Sequence, residues 1–361
     1  MEASDLLFLE AAVELAQRGL CSTTPNPRVG CLLVRDGRVI GRGWHRRAGG
    51  PHAEAAALAN AAELGLSQSV EGATCYVSME PCTHFGRTPP CADALIAARI
   101  GRVVIASIDP NPGQTGGVDR LRNAGIRVDV VERGAARELN PGFFKRFIAQ
   151  RPWVRVKIAA SLDGRTAMAS GESRWITGEA ARADVQSWRA RSCAVVTGVG
   201  TVLADDPQLN VRAPEFAVDG YLRQPLRVIV DSQLRAPRTA RVFQLPGEAL
   251  VATTVGASAP AADHFVTAGP RVDIDALLAE LAGRGANEVL IEAGATLTGE
   301  VLRLGLWDEA IVYLAPKLLG SDARPLAELS VGRLNDAITG TVADVRMIEG
   351  DVRIRILRVA R

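Results

Sequence analysis

The sequence predicts an α/β protein of two domains, on three observations: its length of 361 residues, strand-like and helix-like stretches that alternate to the end, and an Arg151-Pro152 break after which the alternation restarts. The length is about two and a half times the ~150 residues of a typical domain, so each half can bury a core of its own. Proline disfavours helical geometry in the residue before it, which sets the expected domains at 1–150 and 151–361. With 47% hydrophobic and 23% charged residues, the composition is that of a globular chain rather than a disordered one.

In the first half, residues 5–18 suit a helix. The runs 29–34 and 39–44 flank Asp36-Gly37, a pair that accepts the positive φ angles of a tight turn, and so read as a hairpin. A helix from His52, a strand at 74–78, a helix from Cys91, a strand at 102–107, a helix over 118–123 and a strand at 127–131 follow. Helical character returns over 134–150. The second half opens with a strand at 153–160, then a helix over 179–190, strands at 194–197 and 226–231, a helix over 275–281 and a strand at 288–291. The stretch 309–315 and the runs 342–348 and 352–359, the last two joined by Glu349-Gly350-Asp351, suggest an antiparallel closing ribbon. Residues 215–220 and 257–263 read as surface loops.

The 42 basic and 40 acidic residues are spread over both halves, so neither half carries the basic excess that nonspecific nucleic-acid binding needs. The chain does not open with a basic start, apolar run and cleavage site, and no apolar run approaches the ~18 residues that cross a bilayer. A cytoplasmic homo-oligomer acting on small molecules is expected, with no nucleic-acid or membrane partner. The six cysteines are few for this length and read as buried thiols or metal ligands rather than disulfides.

The neighbours of the cysteines separate those two roles. His52-Ala53-Glu54 is followed by Glu80-Pro81-Cys82 and, after an eight-residue loop, by Cys91. One imidazole and two thiolates, from His52, Cys82 and Cys91, give three ligands to one tetrahedral zinc and leave the fourth position to water. Coordination lowers the pKa of that water towards ~7. Glu54, beside the water and not a ligand, suits the proton carrier of a hydrolytic deamination. Cys21, Cys31, Cys75 and Cys193 lie outside the pattern and read as packing residues.

Zinc deaminases usually carry a Cys-x-x-Cys pair; here Thr83-His84-Phe85-Gly86-Arg87-Thr88-Pro89-Pro90 lies between the two thiols. With that loop, Thr24-Pro25-Asn26-Pro27-Arg28-Val29-Gly30 and His45-Arg46-Arg47-Ala48-Gly49, the sequence resembles the bifunctional deaminase–reductases of riboflavin biosynthesis. The resemblance implies a cytidine-deaminase-like three-layer α/β/α domain holding zinc, followed by a dihydrofolate-reductase-like α/β domain that uses NADPH. The implied reactions are hydrolytic deamination of 2,5-diamino-6-(5-phosphoribosylamino)pyrimidin-4(3H)-one, then reduction of the ribosyl group of 5-amino-6-(5-phosphoribosylamino)uracil to ribityl. It also implies that Asn26 contacts the pyrimidine, with His45 and His84 lining the pocket and Arg87 facing the substrate phosphate. Asp109-Pro110-Asn111-Pro112 reads equally as the pocket's rim and as a plain turn.

The second half lacks the G-x-G-x-x-G of a Rossmann site. Its segments around Lys157, Ala159, Ser173 and Trp175 and the Tyr313-Leu314-Ala315-Pro316-Lys317 stretch resemble the family's reductase half, and 197–207 places small residues and a hydroxyl at a strand's end. Ile291-Glu292-Ala293 leads into Gly294-Ala295-Thr296-Leu297-Thr298-Gly299, a strand, a glycine turn and a helix whose first N–H groups can hold phosphate. The resemblance implies NADPH contacts from Ala159, Trp175, Thr201, Asp205, Ser232 and that turn. It implies substrate contacts from Lys157, Ser173, Arg189, Leu209, Arg212 and Glu292. Arginines suit a sugar phosphate because their planar donors grip its oxygens in pairs. Lys157 is either a solvated strand-end lysine or a group that polarises the reacting sugar.

Overall fold

The computed structural model describes residues 3–85, 89–254 and 263–359. They form two compact units, Met1–Ala149 with Val218–Tyr221, and Gln150–Ala217 with Leu222–Arg361.

The first unit runs α1 (Ala3–Ala16), β1 (Gly30–Arg35), β2 (Arg38–Trp44), α2 (Ala53–Glu63), β3 (Thr74–Val77), α3 (Cys91–Ala97), β4 (Arg102–Ile105), α4 (Gly117–Asn123), β5 (Arg127–Val130), α5 (Gly134–Leu139) and α6 (Pro141–Ala149). Its sheet has the order β2-β1-β3-β4-β5. The β1–β2 turn takes positive φ at Asp36 (50°) and Gly37 (71°), as the Asp-Gly pair foretold. Side chains alternate across the sheet. Cys31, Leu33, Val77 and Ile105 therefore pack with α2 and α3 on one face, while Leu32, Val34, Tyr76 and Val104 pack with α1 on the other. Two packed faces on one sheet make a three-layer unit. Gly43 lets α2 lie close: a Cβ there would stand 2.3 Å from the Ala57 nitrogen. The helical stretch 134–150 divides at Asn140, whose side chain bonds the backbone N–H and carbonyl of Arg28 (2.8 and 3.0 Å) just before Pro141.

The second unit runs β6 (Trp153–Ser161), β7 (Arg165–Ala167), α7 (Glu179–Arg191), β8 (Ala194–Gly198), α8 (Val199–Asp205), β9 (Leu226–Val230), α9 (Arg241–Gln244), β10 (Ala249–Thr253), β11 (Asp263–Val266), α10 (Ile274–Gly283), β12 (Glu288–Ile291), α11 (Ala295–Arg303), β13 (Glu309–Ala315), β14 (Arg324–Pro325), β15 (Gly340–Ile348) and β16 (Asp351–Arg358). The main sheet has the order β11-β10-β9-β8-β12-β6-β13-β16-β15. Neighbours pair in parallel from β11 through β13, and the β15–β16 ribbon closes it antiparallel. Parallel strands send their C-terminal loops to one edge, where ligands of open α/β sheets bind. The strands β10 and β11 and the short helices α8 and α9 add to the elements read from sequence; α8 occupies the segment 199–205, read there only as a small-residue strand end.

Candidate functional site

In the first unit, the loop leaving β3 and the beginnings of α2 and α3 converge. His52 immediately precedes α2, Cys91 opens α3, and Cys82 sits on the loop between β3 and α3. One ligand atom from each of these three residues lies within 4.8 Å of the other two. Tetrahedral zinc with bonds of about 2.3 Å to sulfur and about 2.0–2.1 Å to nitrogen holds those atoms about 3.5 Å apart. The observed separations from His52 Nδ1 are 3.5 Å to Cys82 Sγ and 3.4 Å to Cys91 Sγ. The donor set and its spacing fit the ion. A hydrogen bond from the Cys91 thiol, then one from His52, pulls Cys82 down to about 4, while Cys91 is pushed up by the same thiol pairing.

Glu54 lies in the first turn of α2, 3% exposed, and burial pushes its carboxyl up to about 7. His45 is buried with its ring 5.1 Å from that of His52. Burial lowers it to about 4, so it is neutral at pH 7. Its Nδ1–H donates to the Pro51 carbonyl (2.9 Å), leaving Nε2 to accept from Asn26 Nδ2 (3.1 Å). That arrangement leaves the Asn26 carbonyl oxygen available to a ligand. His84 is exposed on the loop between the thiols, and Arg87 falls outside the described residues.

Asp109 and Asn111 behave as turn residues: the Asp109 carboxylate accepts from Asn111 N (2.8 Å), and the Asn111 side chain from Gly113 N (3.0 Å). Sequence reasoning did not anticipate the task of Glu80. Buried, it accepts from the backbone N–H groups of Asp109, Gly116 and Val118 at 3.3, 3.2 and 3.1 Å, fixing the loop that carries Cys82. Cys31 and Cys75 are buried against each other with Sγ atoms 3.4 Å apart, and neither joins the three donors.

In the second unit, the C-terminal ends of the parallel strands open into a cavity of about 1550 Å³. This exceeds the roughly 300–1,000 Å³ of a usual small-molecule pocket, enough for a dinucleotide beside a second ligand. Lys157 and Ala159 line it from β6, Ser173 and Trp175 from the loop before α7, and Thr201 and Asp205 from α8. Leu209, Arg212, Ser232 and Glu292 join them, as do Gly294, Ala295, Thr296 and Leu297. The N-cap of α11 is Gly294, which has no side chain to cap it, so among the described residues the N–H groups of its first turn are open to an anion. Thr298 and Gly299 are not on the lining. Thr298 donates to the Ala293 carbonyl (3.3 Å), and a Cβ at Gly299 would meet the Glu328 carbonyl oxygen at 2.3 Å, so that glycine serves packing.

Arg189 reaches the cavity with both arms of its guanidinium engaged. Nε and Nη2 donate to the two Glu292 oxygens at 2.6 and 2.9 Å, and Nη1 to the Asn210 carbonyl at 3.2 Å. Burial alone would raise the Glu292 carboxyl, but Arg189 holds it below the ordinary value. Burial lowers the Lys157 ammonium, with Glu292 opposing that shift. Arg182 and Gln186 were not anticipated. Arg182 lies 4.3 Å from the Trp175 ring centre, and the Gln186 side-chain Oε1 accepts from Arg212 N (2.9 Å). With Arg189 they stand at i, i+4 and i+7 of α7, a spacing that marks one helix face and was the available signal.

The family description "cytidine and deoxycytidylate deaminase zinc-binding region" matches residues 2–107, and "RibD C-terminal domain" matches 152–338. Riboflavin biosynthesis protein RibD of Escherichia coli is 46% identical over 368 residues, covering 98% of this chain and 99% of that protein. The Haemophilus influenzae RibD is 43% identical over 365 residues, with 98% and 97% covered. Among solved structures, Acinetobacter baumannii RibD (form 1) superposes with a TM-score of 0.92 at 44% identity over 99% of both chains. A Thermotoga maritima diaminohydroxyphosphoribosylaminopyrimidine deaminase/5-amino-6-(5-phosphoribosylamino)uracil reductase superposes at 0.89, with 32% identity over 99% of both.

Proposed function

The chain belongs to the RibD family, bifunctional deaminase–reductases of riboflavin biosynthesis that use zinc and NADPH, and from that membership we infer how its residues divide the work. Residues 1–150 make up the zinc-dependent deaminase domain and 151–361 the NADPH-dependent reductase domain, apart from Val218–Tyr221, which group with the first unit. The first substrate is the diaminohydroxyphosphoribosylaminopyrimidine named for the Thermotoga relative, and the second is 5-amino-6-(5-phosphoribosylamino)uracil.

The reading of the first domain rests on one observation: three zinc donors at tetrahedral spacing with a buried carboxyl, Glu54, alongside. His52, Cys82 and Cys91 would hold the zinc, which would supply an activated water for attack at C2 of the pyrimidine at neutral pH. Glu54 takes a proton from that water and passes it to the ring nitrogen, then takes the remaining proton of the oxygen added at C2 and gives it to the departing amine, so that ammonia leaves and a carbonyl forms. Neutral His45 holds the Asn26 amide with its oxygen towards a ring N–H. His84 and Arg87 belong to the substrate-facing loop.

In the second domain, bound NADPH would supply the hydride that takes the ribosyl group to ribityl. The open amides at 295–297 hold the cofactor's pyrophosphate, and Gly294, Ala159, Trp175, Thr201, Asp205 and Ser232 line the remainder of its path through the cavity. Lys157 polarises the sugar, and Glu292, kept ionised by Arg189, orients it. Ser173, Leu209 and the exposed Arg212 face the substrate, with Arg212 towards its phosphate. Thr298 and Gly299 support the turn from behind.

No helix among the described residues is long and apolar enough to cross a membrane. A cytoplasmic homo-oligomer is the proposed state, with no nucleic-acid or membrane partner; the exposed Val342, Val345 and Met347 on the edge strand β15 support self-association. Incubating the zinc-loaded protein with the diamino substrate should release ammonia with or without NADPH, whereas the ribityl product and NADPH oxidation should need both reagents. Absence of ammonia from protein with a full complement of zinc would refute the reading.

A further inference from the structure

The cavity of the second unit has a third end that neither the reacting sugar nor the pyrophosphate accounts for. Its lining continues past the end of β9 through Ser232, Gln233 and Arg235 and onto Arg271 and Val272, just before α10. Ser232 ties the two segments together, its Oγ accepting from Val272 N at 3.2 Å. That bond uses an oxygen lone pair, so the hydroxyl hydrogen remains available to a ligand.

Several other guanidinium groups of the lining have partners. Arg189 holds Glu292, Arg303 holds Glu300 at 2.9 and 2.7 Å, and Arg212 holds Gln208 and Asn210, both at 3.0 Å. Arg182 lies over the Trp175 ring, and Arg241 lies close enough to Arg212 to be repelled by it, which places Arg241 at the substrate end. Arg271 is exposed and has no hydrogen bond or ion pair among the described residues. Glu300 lies near enough to feel its charge and is already paired with Arg303. Arg235 has a single long contact, 4.0 Å, to the buried Asp231.

The strand order fixes what belongs at this end. In the run β9-β8-β12-β6, Lys157 and Ala159 lie on β6, the pyrophosphate turn follows β12, and Ser232 follows β9. With strands about 4.8 Å apart, β6 and β9 are about 14 Å apart. A dinucleotide whose nicotinamide lies over β6 and whose pyrophosphate lies at α11 must therefore carry its adenosine ribose towards β9. The ribose of NADPH, unlike that of NADH, bears a phosphate dianion, which needs charged donors that grip in pairs.

We propose that Arg271, with Arg235 and the Ser232 hydroxyl, binds the 2′-phosphate of NADPH and sets the preference for NADPH over NADH. The assignment rests on the NADPH reading of this cavity, and its test separates the two. Calorimetric titration of the full-length protein with 2′,5′-ADP and with 5′-AMP isolates the phosphate from the nicotinamide and from turnover. The wild type should bind 2′,5′-ADP about 10–100-fold more tightly than AMP. Arg271→Ala should remove most of that difference by weakening 2′,5′-ADP alone, Arg271→Lys should restore part of it, and Ser232→Ala should give a smaller loss of the same kind. In steady state, Arg271→Ala should raise the KM for NADPH about tenfold or more, with kcat/KM for NADH little changed. Equal loss of both nucleotides, or an undiminished preference in Arg271→Ala, overturns the assignment and leaves the NADPH reading standing. A wild type that binds neither nucleotide and oxidises no NADPH overturns both.

Discussion

Replacing Glu54 with glutamine should lower the rate of ammonia release by about 10²–10⁴-fold or more while the protein keeps its zinc. The amide has the shape of the carboxyl but cannot accept the proton that the attacking water gives up. Because the native carboxyl is buried and raised to about 7, exchanging it for a neutral group of equal size should cost little stability. Elemental analysis for zinc, run on the same sample as the ammonia assay, separates the roles. Lost activity with zinc retained marks a proton carrier. Zinc lost together with activity marks Glu54 as part of the scaffold.

Arg189→Ala should destabilise the second unit by about 3–5 kcal/mol, because it strands a buried carboxylate. Arg189 and Glu292 have side chains only 12% and 8% exposed, and the two parallel hydrogen bonds between them leave no easy replacement from solvent. In a unit of this size, each kcal/mol lowers Tm by about 2–4 °C. The sign with pH follows from the pair. Arg189 lowers the pKa of Glu292 in the folded protein, so its stabilisation is present above the ordinary carboxylate pKa and fades as pH falls through the lowered one. The deficit of the variant should accordingly be larger at pH 8 than near pH 4. Arg189→Lys should recover charge without the fork and only part of the stability. Thermal unfolding followed at both pH values checks this, and a pH-independent deficit would mean that Arg189 contributes packing alone.

The first domain was the more legible of the two because its chemistry is carried by rare residue types close in sequence. His52 and Glu54 share one helix start, and Cys82 and Cys91 flank one loop, so spacing alone brings the donors near each other. The Asp36-Gly37 turn was readable for a similar reason: its backbone requirement is local. The cavity of the second unit depends on partners far apart in the chain. The pairing of Arg189 with Glu292 could not be read from the sequence because the two are 103 positions apart. Gly299 looked like part of a phosphate turn because the Glu328 backbone that requires it comes from another segment. The helix α8 was obscured by Gly200 and by the β-branched Val199, Thr201 and Val202, weak helix formers of which Val199 and Val202 are held by packing against β8 and α7.

Zinc K-edge X-ray absorption on the metal-loaded protein measures the open coordination position directly. Two sulfurs at about 2.3 Å, one imidazole nitrogen and one further light atom at about 2.0–2.1 Å are expected, with the same pattern in Glu54→Gln. A third sulfur, a second imidazole, or a spectrum that changes when Glu54 is replaced would mean that the protein itself fills the fourth position and that water is not activated there.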